Sequence, residues 1–128
     1  MSREFSYTVK QTVTEEQITD ILVDGIECGI GYWAMLHNNT EEFERYYNST
    51  DLATSEIVVK ILLDGGAVII TDCEEDVEPK YPLTLDRVIA GIQKNAEDRP
   101  WDCDLDNYDA ATADCIIQYA IFDEVVFG

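Results

Sequence analysis

Positive charge is scarce in this chain: 8 Lys and Arg stand against 27 Asp and Glu in 128 residues, a formal net charge of -19. A molecule so charged repels phosphate backbones and anionic lipid, which argues against direct nucleic-acid or membrane-surface binding. It attracts basic surfaces instead, over a Debye length of roughly 8 Å at physiological salt. Histidine is scarcer still. His37, the only one, cannot build a histidine metal site or complete a nucleophile–histidine set, and it is expected to be exposed. No apolar run reaches the ~20 residues of a membrane span, because Asp114, Gln118, Asp123 and Glu124 interrupt the best candidate.

Cysteine chemistry is thin as well. Cys28, Cys73, Cys103 and Cys115 include no C-x-x-C pair, and no signal-peptide pattern precedes them, so reduced cytosolic thiols are expected. Cys115 falls in an apolar run and reads as core. Cys103 lies among acids that would raise its pKa, a poor setting for a nucleophile.

What is present is enough to fold. Hydrophobic residues make up 46% of the chain, more than disordered acidic chains carry, and the length suits a single domain over residues 1–128. Tyr7–Val13 favours a first strand by composition and alternation. Thr14-Glu15-Glu16-Gln17 matches a capping box, so a helix begins there, with Ile18, Leu22 and Ile26 as its apolar stripe and Gly29 and Gly31 as its stop. Tyr32-Trp33-Ala34-Met35-Leu36 enters a strand, Trp33 serving as a core anchor. The polar residues 37–50 suit an excursion with room for a short helical turn or strand.

Ile57–Leu63 and Ala67–Thr71 flank Asp64-Gly65-Gly66, which predicts a β-hairpin. Tyr81-Pro82-Leu83 suits an edge strand. Thr84 caps a further helix with Leu85, Val88, Ile89, Ile92 and Ala96 on one stripe, ending before Pro100. The stretch from Ala110 to Phe127 is nearly all apolar or small, so a helix there would be buried on most of its circumference. Within it, Asp114 and Gln118 share one side at i and i+4 and need partners. Together with Trp33 they are expected to form a structural polar core, tying the loops around Gly29–Gly31 or the hairpin. The expected fold is α+β, an antiparallel sheet of four to five strands against three helices, with the C-terminal helix central.

No constellation points to catalysis or to a cofactor. Asp102, Asp104 and Asp106 alternate like the first ligands of a calcium loop, but Asn107 stands at the sixth position and Ala113 at the twelfth, so the spacing fails and no metal site is expected. What remains is the surface field. Glu41, Glu42, Glu44, Asp72, Glu74, Glu75, Asp76, Glu78, Asp98, Asp102, Asp104 and Asp106 fall mainly in expected loops. Gathered on one side, they would imitate phosphates and occupy a channel lined with Lys and Arg.

Both ends of the chain carry recognisable words. Glu27, Gly29, Tyr32 and Trp33, then Asp109, Ala110, Thr112, Ala113, Asp114, Gln118, Phe122, Glu124, Val126 and Gly128, follow a pattern from which Cys28, Ala111 and Asp123 depart. This pattern resembles that of a widespread family of small proteins encoded by tailed phages and prophages. The resemblance implies a phage source and the cytoplasm of an infected cell as the working place, but no activity.

Small acidic phage proteins are often inhibitors of host defence, anti-CRISPR proteins among them, which is an argument by association. The expectation is therefore a non-enzymatic inhibitor that binds a basic, nucleic-acid-handling defence protein or nucleoprotein, such as a CRISPR effector, through its acidic loops. The alternatives are a structural or housekeeping phage protein with a solubilising surface, and a small-ligand binder using a pocket beside Trp33, Asp114 and Gln118. A homodimer is open in each.

Overall fold

The computed structural model describes residues 2–37, 40–49, 52–72 and 80–128. Among them the chain runs α1 (Glu15–Asp24), a π-helical turn (Gly25–Gly29), β1 (Ala34–His37), α2 (Glu41–Ser49), α3 (Thr54–Leu63), β2 (Ala67–Asp72), β3 (Lys80–Thr84), α4 (Leu85–Asp98), a 3-10 turn (Pro100–Asp102) and α5 (Ala110–Phe122). The class is mixed, as expected. The described residues hold a three-stranded antiparallel sheet, in the order β1-β2-β3, and five α-helices, rather than four to five strands and three helices. None of these helices is long and apolar enough to cross a membrane.

The capping box at Thr14 forms as its residues require: Gln17 N–H donates to Thr14 Oγ1 at 3.1 Å and Thr14 N–H to Gln17 Oε1 at 2.9 Å. Thr84 caps α4 in the same way, accepting from Arg87 N–H. Ahead of α1 there is no strand. Residues 2–14 adopt no regular secondary structure, and Tyr7, 88% exposed, has neither a ladder nor a core to join.

The expected hairpin is the largest correction. Ile57–Leu63 belongs to α3, and only Ala67–Asp72 is a strand. Glu56 Oε1 accepts the Ala53 N–H at the start of α3. At its end Gly65 N–H donates to Leu62 O and Gly66 N–H to Ile61 O, with Gly65 at φ +92. That pair of bonds closes a helix with a left-handed glycine, so Asp64-Gly65-Gly66 is a helix terminus and not a hairpin turn. A β-branched run is helical here because Ile57, Val58, Val59, Ile61 and Leu62 are all buried, and burial on nearly every side erases the periodicity that would have identified the helix.

Packing then follows from the strands' alternation. Val68, Ile70 and Leu83 point one way, into the core with Trp33, Phe43 and the α3 side chains. Met35, His37, Ile69 and Pro82 share the opposite face, since Met35 pairs with Thr71, His37 with Ile69 and Ile69 with Pro82. His37 is half-buried rather than exposed, and its Nε2 lies 3.1 Å from Thr71 Oγ1.

α5 packs on α4, the π turn, α1 and β3. It approaches α4 so closely that a Cβ on Gly91 would lie 2.5 Å from Ile116 O, which only glycine permits. The helix is shorter than expected. It ends at Phe122 because Asp123 turns left-handed, φ 62, and donates its N–H to Tyr119 O; residues 124–128 run back as a strap.

Candidate functional site

α1 follows its apolar stripe inward with Ile18, Ile21 and Leu22, which turns the row Glu16, Asp20 and Asp24, at i, i+4 and i+8, outward to solvent. The connection between the 3-10 turn and α5 is drawn onto this row by two bonds. Gln17 Nε2 donates to Asp106 Oδ1 at 3.0 Å, and Tyr108 OH donates to Asp24 Oδ2 at 2.8 Å. A hollow of about 290 Å³ is thereby lined by Asp20, Asp24, Asp106 and Tyr108. Asp104 sits beside it, its carboxylate accepting the Asp106 N–H.

Four exposed carboxylates, those of α1 eighty or more positions from those of the connection, thus meet on one flank. No Lys or Arg occurs between Lys10 and Arg45, or after Arg99, so neither α1 nor this connection carries a cation of its own. The local field registers on Tyr108, whose phenol is pushed up first by burial, then by its bond to Asp24 and by the charges of Asp24 and Asp20.

The acids singled out from the sequence do not all join this flank. Asp104 and Asp106 do. Asp98 pairs with Lys94 at 3.8 Å. Asp102 faces inward, accepting from Arg99 Nη2 at 2.6 Å and from Thr112 Oγ1 at 2.7 Å, and it ties the 3-10 turn to α5. Glu41, Glu42 and Glu44 lie on α2, where the first two border a separate hollow with His37 and Ile69. Asp72 closes β2, opposite Ala34. Glu74, Glu75, Asp76 and Glu78 lie outside the described residues. Sequence reasoning missed Asp20 and Asp24; their i, i+4 spacing opposite the Ile18–Leu22 stripe was the signal.

Asp114, Gln118 and Trp33 form the polar core expected of them, with different partners. Asp114 accepts from Tyr32 OH at 2.6 Å, Trp33 Nε1 at 2.7 Å and Gln118 Nε2 at 2.9 Å. Gln118 Oε1 accepts both Val126 N–H and Phe127 N–H at 2.8 Å, and its Nε2 donates also to Phe127 O at 3.1 Å. The pair therefore ties Tyr32-Trp33 and the C-terminal strap rather than glycine-loop backbone or a hairpin. Phe127 stacks on Trp33, with centroids 4.9 Å apart and planes 7° from parallel.

Beside this core an open cleft of about 640 Å³ is bordered by Cys28, Tyr32, Arg99, Asp114 and Cys115. Its polar groups are largely committed to one another: Asp114 already has three donors, and Arg99 holds Asp102. Burial pushes the Cys115 thiol up, away from the reactive thiolate. This commitment weakens the small-ligand reading. Among the described residues no three His, Cys, Asp or Glu side chains are placed so that they could hold one metal ion. Compared with protein-family models, curated proteins and solved structures, the chain finds no match in any of the three.

Proposed function

We propose that this is a non-enzymatic binding protein whose acidic flank engages a basic, nucleic-acid-handling partner. More particularly, it is a phage-encoded inhibitor of a host defence complex, of the anti-CRISPR kind, acting in the infected cell's cytoplasm by occupying a channel that otherwise holds nucleic acid. One observation supports the reading: Asp20 and Asp24 of α1 meet Asp104 and Asp106 on a flank whose two contributing segments carry no Lys or Arg of their own. Along α1 the acids recur once per turn, about 6 Å apart. Fixed, exposed negative charges at that interval present a Lys- and Arg-lined groove with a field like that of a phosphate backbone, and raise the association rate at low salt.

The test is binding of the chain to a nucleic-acid-handling defence complex, such as a CRISPR effector, measured across a salt titration and against competing nucleic acid. Affinity should fall steeply with salt. The triple substitution Asp20→Asn, Asp24→Asn and Asp106→Asn, which keeps the acceptors used by Tyr108 and Gln17, should weaken binding about tenfold or more. Binding that barely changes between low and high salt, or that the triple variant leaves intact, would end this reading and leave the acidic surface as a solubilising one.

A further inference from the structure

The segment before α1 has the chemistry of a strand without a strand's partner. Phe5, Tyr7, Val9 and Val13 alternate with polar residues at period two. Phe5, Tyr7 and Val9 are 81%, 88% and 61% exposed. Only Val13, next to the Thr14 cap, packs against the main core. Further out the segment runs past α4, where Val9 and Val13 border a hollow of about 160 Å³ with Ile89 and Ile92. Three large apolar side chains in water within five residues mark an interaction surface.

The rest of the molecule offers a place for such a segment. The order β1-β2-β3 leaves β1 and β3 as edges among the described residues. β3 carries Pro82 at its middle, which removes a donor and blunts that edge. β1 has no proline, and Tyr32 and Met35 beside it are 60% and 54% exposed, the apolar counterpart of Phe5 and Tyr7. Charge agrees. Residues 2–13 hold Arg3 and Lys10 against one acid, Glu4, while the remainder of the chain holds the other 26 of 27 acids.

We propose that residues 2–13 are an exchange arm that adds to the free edge of β1 in a second copy of this chain, the two copies trading arms. Val13 is the hinge. Reciprocal addition uses the same two surfaces on each copy and closes as a dimer, so it leaves no arm and no β1 edge unoccupied. The inference is independent of the acidic flank and goes beyond it.

Sedimentation equilibrium of the full chain, across low to high micromolar concentration, tests it. The expected mass is twice that of the monomer. Two substitutions at exposed positions probe the two halves of the contact: Phe5→Ser with Tyr7→Ser on the arm, and Met35→Lys on the edge. Each should weaken the dimer about tenfold or more. A monomeric mass at every concentration overturns the proposal, including the case where hydrogen exchange finds the arm protected against its own α4. So does a dimer whose affinity neither variant changes.

Discussion

Both ends of this chain lie outside helix and strand and both carry apolar residues, yet one is fastened and the other is not. The strap 124–128 receives three hydrogen bonds from a single buried amide, Gln118, and a ring stack from Trp33. The segment 2–13 receives a contact at Val13 and leaves Phe5, Tyr7 and Val9 in water. The difference lies in the backbone. Apolar side chains lower the free energy of a segment only where its N–H and C=O groups also find partners; Gln118 supplies them to the strap, and no ladder supplies them to the arm.

The strongest way to break the fastened end is to remove its centre. Asp114→Ala leaves the buried Trp33 Nε1 without an acceptor and takes one partner each from Tyr32 and Gln118. It should cost about 2–4 kcal/mol of stability, read from the shift of a urea midpoint. Tyr32 gives the same network a pH signature. Its phenol is raised from 10.0 to about 12, first by burial of the hydroxyl end and then by the bond to and charge of Asp114. The unfolded phenol ionises first, so this contribution is present below pH 10 and is lost as pH rises from 10 toward 12. Phenolate absorbance should place one tyrosine near the top of that window in the native protein, and lower in Asp114→Ala.

Gln118→Met comes next. It keeps the volume of the side chain but strips acceptors from Val126 and Phe127 and one donor from Asp114, for about 2 kcal/mol. Its particular readout is local. The amides of Val126 and Phe127 should lose their protection from hydrogen exchange while those of α3 keep theirs. Equal loss in both places would mean that the strap is not a separate unit fastened by Gln118.

A smaller effect of opposite sign sits at the corner where the strap begins. Asp123 is the one non-glycine residue with positive φ among the described residues, φ 62. Asp123→Gly should stabilise the protein by about 0.5–1 kcal/mol, seen as a higher thermal midpoint, because glycine occupies this region without the crowding a Cβ brings.

That position illustrates what could be read from the residues alone. The caps were legible, since Thr14 with Gln17 and Thr84 act within four residues of themselves. So was the tension in α5: a carboxylate and an amide one turn apart in an apolar run had to be paired, and they are. Trp33 was named with them, but Tyr32 and the strap were not, because Tyr32, Val126 and Phe127 reach the pair across a tertiary arrangement that no local spacing encodes. α3 was misread for a physical reason as well. A fully buried helix and a buried strand share composition, and the glycines after Leu63 terminate either one. On the acidic flank, the acids of the 102–109 connection were visible, but their meeting with Asp20 and Asp24 depends on Gln17 and Tyr108 bridging to α1.

The smallest effect belongs to the loose end and is the sharpest test of the comparison. Phe5→Ser with Tyr7→Ser removes two large apolar side chains, a change that in a packed core would cost several kcal/mol. Here both residues are exposed, and the unfolded chain exposes them equally. At protein concentrations low enough that copies do not meet, the double variant should shift stability by no more than about 0.5 kcal/mol in a urea titration. A loss comparable to that of Gln118→Met would show that residues 2–13 hold the monomer together as the strap does. The contrast between the two ends would then be gone, and the arm would have nothing free to exchange.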